Sequence, residues 1–254
     1  AFAGMTKTMT TFHVITLFPE SLESYLNSSI VKRAQDDGHI SIKYYNPRDY
    51  ALPAEALKRS GRAKAGVPPE MTYSERRVDD KPYGGGPGMV IEALPIIRAI
   101  EKAIEKSKNP CLPAGRKNQN NKLKVKIIFF TPSGKQFTNE VADSWIKYTD
   151  IVLACGRYEG VDARVKKVFP MVDISIGPYI LTGGELPAMI VIDAVTRRIK
   201  GVLGDLSIEE SRIASPDVYT RPEVIEYKKK KYHVPKILLS GHQKKIEEWK
   251  KERK

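Results

Sequence analysis

The sequence predicts an α/β fold with a mostly parallel sheet. Strand-like apolar runs alternate with helix-like amphipathic runs through most of the chain, a pattern typical of parallel sheets covered by helices on both faces. Three of the apolar runs end in glycine-containing loops, which begin at Thr131, Cys155 and Gly177. Because ligands of open α/β sheets bind beyond the carboxyl ends of the strands, these loops predict one composite pocket.

The first elements follow from residue spacing. Residues 12–17 form a predicted strand, and Pro19 suits the first turn of a helix that ends at Gly38. Four apolar residues share one face of this predicted helix: Leu22, Leu26, Ile30 and Ala34. Alternating apolar residues over 40–44 predict a half-buried strand. Residues 46–88 form a long polar connection, and residues 93–104 carry the spacing of a second helix.

The remaining elements continue the alternation. Predicted strands cover residues 125–130, 151–154 and 172–176. Predicted helices cover residues 162–169 and 185–199, and a further helix begins after Thr138, a good N-cap residue. Residues 201–220 are interpreted as a linker, and residues 240–254 as a charged helix. His13 lies in an apolar strand, so we expect a hydrogen-bonded core residue there and not a ligand.

Net charge and cysteine content limit the function. The chain carries a formal charge of +13, and residues 221–254 contribute 12 Lys/Arg against 5 Asp/Glu. This basic segment suits a phosphate backbone, although a solvated helix without a partner is the alternative. The two cysteines predict neither a disulfide framework nor a zinc site, and no apolar run is long enough to cross a membrane. We expect a cytoplasmic protein, with residues 1–4 as an expression scar before Met5.

Several common catalytic motifs are absent from the sequence. It contains no G-x-x-x-x-G-K-[ST] phosphate loop, no G-x-G-x-x-G dinucleotide motif and no G-x-S-x-G nucleophile elbow. The four histidines are scattered and lack metal-ligand spacing, so we expect no metal site held by the protein. Ordinary nucleotide hydrolysis, hydride transfer and serine hydrolysis are therefore disfavoured.

Eight short motifs together resemble the bacterial tRNA (guanine-N1)-methyltransferases of the TrmD type, in the SPOUT superfamily. They occur in the family's order and span most of residues 12–249. The motifs are LFPE (17–20), PRD (47–49), VDDKPYGGGPGM (78–89), CGRYEG (155–160), SIG (175–177), GGELPAM (183–189), YTRPE (219–223) and LLSG (238–241).

The resemblance implies a fold, a reaction and an assembly. It implies a SPOUT domain over residues 5–203 with a trefoil knot at the C-terminal end of the sheet, a linker over 204–220 and a short, truncated helical tRNA-binding region over 221–254. The implied reaction transfers a methyl group from S-adenosyl-L-methionine to N1 of the guanine immediately 3′ of the anticodon in tRNA, when another guanine precedes it. Members of this family are homodimers whose active sites lie between subunits. Magnesium, if it contributes, is expected to act through the RNA.

The residues expected to bind the methyl donor lie in the three loops. They supply backbone polar groups, an apolar slot and glycines that permit close approach. The set comprises Thr131, Pro132, Gly156, Tyr158, Ile176, Gly177, Pro178, Tyr179, Ile180, Leu181, Gly183, Gly184 and Pro187. Pro178 stands where the family commonly has aspartate. Tyr83 and Gly84–Gly88 are expected to form a floor near the donor.

Three residues are the candidate catalytic groups. Methylation at guanine N1 needs a base that removes the N1 proton and a cation that stabilises charge on O6. By resemblance the cation is Arg197, with an ordinary helix-terminal arginine as the alternative, and the base is Glu210 in place of the family's aspartate. Glu209, Asp205 and Asp217 are rivals for the base.

Glu159 is the third candidate. Its carboxylate is expected to face the donor's sulfonium or the target base, and the alternative is that it accepts backbone N–H groups to hold its own turn. Tyr158 beside it has the aromatic ring needed to stack on an exposed guanine.

Two other function classes remain open at the level of sequence. One is a SPOUT methyltransferase that acts on another RNA, and the other is a non-catalytic RNA-binding relative.

Overall fold

The computed structural model describes residues 9–51, 77–108, 124–203 and 217–252. The chain divides into two units, Ala1–Leu203 and Gly204–Lys254. The strands of the first unit are β1 (Thr10–Ile15), β2 (Ile40–Tyr45), β3 (Asp79–Asp80), β4 (Val90–Ile91), β5 (Val125–Gln136), β6 (Asp150–Ala154) and β7 (Val172–Ser175). Its helices are α1 (Glu20–Leu26), α2 (Ser29–Asp36), α3 (Ala93–Lys108), α4 (Asn139–Trp145), α5 (Arg164–Val168) and α6 (Glu185–Thr196), with a 3₁₀ turn at Pro47–Tyr50.

Five parallel strands form the central sheet, in the order β2-β1-β6-β5-β7. The predicted α/β fold with a mostly parallel sheet is therefore confirmed. Strand β1 is buried along its whole length because helices cover both faces of the sheet. Phe12 and Val14 belong to the core on one face, and Ile15 belongs to the core on the other. Strands β6, β5 and β7 are neighbours, so the segments at their carboxyl ends lie side by side.

His13 is buried in the middle of the sheet. Its Nε2 lies 2.9 Å from Asp150 Oδ1, and its Nδ1 lies 3.0 Å from the phenol oxygen of Tyr45. Both ring nitrogens are thus hydrogen-bonded, as a buried polar side chain requires. The expectation of a satisfied core histidine is confirmed.

Two predicted elements differ from the structure. The single helix expected between Pro19 and Gly38 is broken into α1 and α2, because Ser29 takes a left-handed backbone conformation with φ of 49°. The strand expected to end at Phe130 continues to Gln136 as β5. Residues 131–134 form a bulge within that strand, since Phe130 and Lys135 both pair with Ile174 of β7. The segment predicted as a loop after a strand is therefore an interruption inside one.

Thr138 caps α4 as predicted, its side chain accepting a hydrogen bond from the Val141 amide. Helix α6 ends at Thr196, three residues before the predicted end.

The second unit holds more than the predicted helix. An antiparallel hairpin of β8 (Val224–Tyr227) and β9 (Lys230–His233) precedes two helices, α7 (Lys236–Leu239) and α8 (Gln243–Lys251). The sequence analysis missed the hairpin because its turn residues are lysines, which are not typical of a two-residue turn.

Candidate functional site

A pocket of about 300 Å³ lies at the carboxyl edge of the sheet. The β5 bulge, the loop after β6 and the loop between β7 and α6 contribute its walls. The lining residues are Phe129, Phe130, Thr131, Pro132, Gly156, Arg157, Tyr158, Glu159, Gly160, Ile174, Ser175, Ile176, Gly177, Tyr179, Ile180, Leu181, Thr182, Gly183, Gly184 and Pro187. The three segments predicted to form one composite pocket therefore do so.

Most residues expected at the donor site line this pocket, and Pro178 does not. Prediction from sequence missed several lining residues, among them Phe129, Phe130 and Ser175. The Ser175 hydroxyl donates to the Gly177 carbonyl at 3.0 Å and accepts from the Gly177 amide at 3.3 Å, which shapes the turn that opens the third wall. The position of Ser175 in the SIG motif is the sequence feature that could have placed it at the pocket. The two phenylalanines belong to an apolar strand, and nothing local distinguishes them from core residues.

Arg157 is the charged lining residue that the sequence analysis did not place at the donor site. Its Nε lies 3.0 Å from Glu185 Oε2, and its guanidinium carbon lies 4.6 Å from the centre of the Phe18 ring. The Thr16 hydroxyl donates to Glu185 Oε1 at 2.7 Å. Arg157 Nε and Glu185 Oε2 lack well-directed hydrogen-bond geometry, so charge attraction and the aromatic contact hold the arginine.

The network ties two pocket walls to the end of β1. The Phe18 amide donates to Thr16 Oγ1 at 3.0 Å, which connects the LFPE segment to Glu185 at the start of α6. The Gly184 amide donates to the Gly156 carbonyl at 3.0 Å, joining the same two walls through the backbone. Residues from three motifs thus converge behind the pocket.

Two glycines permit close approach of backbone segments, and a third leaves room for the Arg157 side chain. A Cβ added at Gly184 would lie 2.6 Å from the Cys155 Cα, and one at Gly134 would lie 2.6 Å from the Ile174 nitrogen. A Cβ at Gly183 would lie 2.5 Å from Arg157 Nε. These distances are shorter than real Cβ atoms accept, so the walls can meet only where glycine stands. The trefoil knot itself stays a prediction.

Cys155 lies beneath the pocket as an unreactive thiol. Burial, helped by the nearby Glu185 carboxylate, raises the pKa of the Cys155 thiol well above its usual range. A protonated, buried thiol is neither nucleophile nor metal ligand.

Tyr158 and Glu159 form the exposed rim of the pocket. Tyr158 has a φ of 58°, an uncommon conformation for an aromatic residue and one associated with functional sites. The Glu159 amide donates to the Met89 carbonyl, and its carboxylate lies against Gly88. That carboxylate accepts no hydrogen bond from any residue the structure describes, so the alternative that it holds its own turn is wrong.

Tyr83 is fully exposed, and neither it nor Gly84–Gly88 lines the pocket. The expectation that these residues form a floor near the donor stays a prediction. The glycine run reaches the site only through Gly88, which contacts the Glu159 side chain.

Of the three candidate catalytic residues, Glu159 lines the pocket and Arg197 does not. Arg197 is exposed and directly follows the C-terminal end of α6, whereas Gly184 and Pro187 place the N-terminal end of that helix at the pocket. Twelve helical residues separate the two ends by about 18 Å. Glu210, Glu209 and Asp205 lie outside the described residues, and Asp217 belongs to the second unit.

The described ranges contain no group of three or more His, Cys, Asp or Glu side chains that could hold a metal ion. They also contain no helix long and apolar enough to span a bilayer.

Comparisons with known proteins agree on one family. The family model for tRNA (guanine-1)-methyltransferase TrmD matches residues 10–59 and 70–254. The tRNA (guanine-N(1)-)-methyltransferase of Clostridioides difficile is 38% identical over 247 residues, covering 95% of this chain and 90% of the relative. The protein of that name from Carboxydothermus hydrogenoformans is 40% identical over 243 residues, covering 94% and 80%.

A solved structure shows the same fold. The crystal structure of tRNA (m1G37) methyltransferase from Aquifex aeolicus aligns with a TM-score of 0.68 at 34% identity, covering 95% of this chain and 88% of that one.

Together, the parallel sheet, the three-walled pocket at its edge and this structural likeness define a methyltransferase of the SPOUT class. More particularly, the chain belongs to the tRNA (guanine-N1)-methyltransferase family of the TrmD type. The family resemblance of the motifs is confirmed. The chain is an S-adenosylmethionine-dependent enzyme of tRNA modification.

Proposed function

We propose that this enzyme transfers a methyl group from S-adenosyl-L-methionine to N1 of the guanine immediately 3′ of the anticodon in tRNA. The observation that carries the proposal is the three-walled pocket, two walls of which contain motifs that mark the family. The Aquifex aeolicus protein of similar structure is named a tRNA (m1G37) methyltransferase, which supports guanine as the base that this enzyme methylates.

The three walls suit a nucleoside. Apolar side chains such as Ile176 and Leu181 offer a slot for the adenine, and the loop backbone offers donors and acceptors for its polar edge. Glu159 on the rim is the carboxylate proposed to face the positively charged sulfonium, which is attracted by a negative charge in a partly dry site. Pro178 lacks a backbone N–H, so we assign it no donor role.

The chemistry requires one proton to leave guanine. The Glu210 carboxylate is proposed to accept the N1 proton as N1 bonds to the methyl carbon and the carbon–sulfur bond breaks, leaving S-adenosylhomocysteine. Arg197 is proposed to stabilise the negative charge that develops on O6. Both assignments derive from the family resemblance.

The position of Arg197 supports a homodimeric site. Arg197 follows the pocket-lining Pro187 by ten residues, or about 15 Å along α6, so we propose that a second copy supplies the arginine to each pocket. Leu186 and Ile190 lie on the outer side of α6 and are 53% and 44% exposed, and Tyr25 on α1 is 47% exposed beside them. We propose that a second copy of this chain covers this apolar face, because a large side chain gains free energy on leaving water.

We propose that the enzyme works in the cytoplasm. We also propose that magnesium, where it contributes, acts through the RNA and not through a site on the protein. Removing divalent ions is then expected to leave binding of S-adenosyl-L-methionine unchanged. Calorimetry with and without a chelator measures this directly.

A methylation assay tests the reaction. The chain is incubated with methyl-labelled S-adenosyl-L-methionine and tRNA that carries paired guanines at the 3′ edge of the anticodon, and the control tRNA has adenine at the target position. Label in the first tRNA alone, recovered as N1-methylguanine, supports the proposal. Label in another RNA but not in tRNA indicates the other SPOUT activity, and RNA binding without label indicates a non-catalytic relative.

Matched variants assign the roles. Arg197→Ala and Glu210→Gln are expected to lower kcat at least a hundredfold, as typical losses of a charge-stabilising group or a base do. Glu209→Gln, the same change one residue earlier, is the control and should retain activity. Full activity in Glu210→Gln together with loss in Glu209→Gln would move the base to Glu209.

A further inference from the structure

The hairpin of the second unit ends in an unusual turn. Tyr227 pairs with Lys230, which leaves Lys228 and Lys229 as a two-residue loop. Their φ angles are 49° and 62°, the positive values that a type I′ turn requires at both positions. Glycine and asparagine dominate such positions because most side chains are strained there. Turn stability therefore does not explain the choice of lysine.

The two turn lysines belong to a run of four, Lys228 to Lys231, all of them exposed. Within the described parts of the chain, none of their ammonium groups forms an ion pair with a carboxylate. The contacts that the structure gives them are aromatic: Lys228 Nζ lies 5.4 Å from the centre of the Tyr227 ring, and Lys230 Nζ lies 5.5 Å from that of Tyr232. The hairpin tip thus concentrates positive charge, and the acidic residue of its two strands, Glu226, lies opposite Lys231 and not beside the turn.

Strand register places an apolar surface beside this charge. Ile225 lies opposite Tyr232, and Tyr227 lies opposite Lys230, so these four side chains share one face of the hairpin. Tyr227 is 63% exposed and Tyr232 is 46% exposed. Aromatic rings interleaved with lysines match a nucleic acid, which offers phosphates and stacking surfaces together.

We propose that this hairpin contacts tRNA directly, with the Lys228 and Lys229 ammonium groups on the phosphate backbone and the Tyr227–Tyr232 face against the adjoining sugar or base. The proposal rests on the proposed function for the identity of the RNA, and it does not depend on the chemistry at guanine N1. The two lysines then lower the stability of the turn but place two positive charges at the tip of the hairpin.

The test separates binding from folding. The double variant Lys228→Asn/Lys229→Gly gives the turn its preferred Asn-Gly sequence, so its Tm should equal or exceed that of the wild type. Its affinity for tRNA, measured by fluorescence anisotropy over a salt series, should fall about tenfold at low salt. The slope of log Kd against log salt should decrease by roughly 1.5, as expected for two lost phosphate contacts.

A matched control removes the same charge elsewhere in the second unit. Lys244→Gln/Lys245→Gln alters two exposed lysines of α8, and its loss of affinity should be clearly smaller. Equal losses in both double variants would indicate a diffuse attraction and overturn the local contact. Unchanged affinity and slope in the turn variant would also overturn it.

Two further measurements identify the partner and separate binding by the hairpin from the methylation reaction. The turn variant should lose the same affinity for tRNA whose target guanine is replaced by adenine, because phosphate contacts do not read the base. If wild-type protein binds this way yet methylates no tRNA, the proposed function fails and the hairpin contact stands. Binding to phosphatidylserine vesicles that is tighter than binding to tRNA and lost in the turn variant would replace RNA with an anionic membrane and overturn the proposal.

Discussion

Arg157 and Glu185 form a largely buried ion pair behind the pocket, with 3.0 Å between Nε and Oε2. The two residues are far apart in sequence, and each follows a different strand of the sheet. Arg157 lies in the loop after β6, which forms one pocket wall. Glu185 is the first residue of α6, directly after the loop that forms another wall. Their contact fixes the spacing of the walls.

Glu185→Gln should weaken both the fold and the pocket. The change leaves the Arg157 guanidinium partly buried without its counter-charge, which we expect to cost about 3 kcal/mol of unfolding free energy. Affinity for S-adenosyl-L-methionine should fall at the same time. Urea denaturation and calorimetry measure the two effects. Asp36→Asn, which breaks the exposed ion pair with Lys32, is the control and should cost less than about 0.5 kcal/mol. Equal costs for the two variants would argue against a structural role for the buried pair.

Gly184→Ala should destabilise the protein, whereas Gly156→Ala should be tolerated. The added Cβ at Gly184 meets the Cys155 backbone at 2.6 Å, but at Gly156 it meets the Phe129 ring at 3.6 Å and Val161 Cγ2 at 3.7 Å, which are ordinary contacts. We expect a loss of about 1–3 kcal/mol for the first variant, as typical of overpacking, and a much smaller change for the second. Thermal and urea unfolding provide the comparison. The reverse order of stability would contradict the observed approach of the two walls.

Mixing two inactive variants tests the site between subunits. Arg197→Ala removes the proposed cation, and Leu181→Trp fills the pocket. If each active site contains the pocket of one subunit and Arg197 of the other, then a heterodimer of the two variants has one site in which both the pocket and the arginine are intact. Random exchange should then restore about a quarter of wild-type activity, because half of the dimers carry one working site of two. An inactive mixture, with heterodimer formation shown by native mass spectrometry, would place both groups in one chain.

Tyr45 should make stability fall at alkaline pH. Burial raises the pKa of the Tyr45 phenol to about 12, so the folded state holds its proton more tightly than the unfolded chain does. The contribution of the neutral phenol to the free energy of unfolding is fully present below pH 10. It falls as the pH rises towards 12, by an amount on the order of 1–2 kcal/mol. At neutral pH Tyr45→Phe should cost about 1 kcal/mol, because the buried hydrogen bond between the Tyr45 hydroxyl and His13 Nδ1 is lost. Urea unfolding at pH 8 and pH 11 should show that cost shrinking; a constant difference would be inconsistent with this role.

Local sequence was sufficient for much of the fold. Buried strands read as apolar runs, and Thr138 marked a helix start that the structure confirms. The left-handed turn at Ser29 escaped prediction because serine continues a helical pattern as readily as it interrupts one. The hairpin at Lys228 and Lys229 escaped for a related reason, since lysine gives no turn signal.

The sequence by itself determined that three glycine-containing segments follow apolar, strand-forming runs, although the first of them is a bulge inside β5 and not a loop. Tertiary structure alone decided that β6, β5 and β7 are neighbours, which brings those segments together around one pocket. It also decided that Arg157 meets Glu185 and that α6 carries Arg197 away from the pocket of its own chain. The physical reason is that residue spacing encodes the face and the end of each element, whereas contacts between elements depend on strand order and helix length in space.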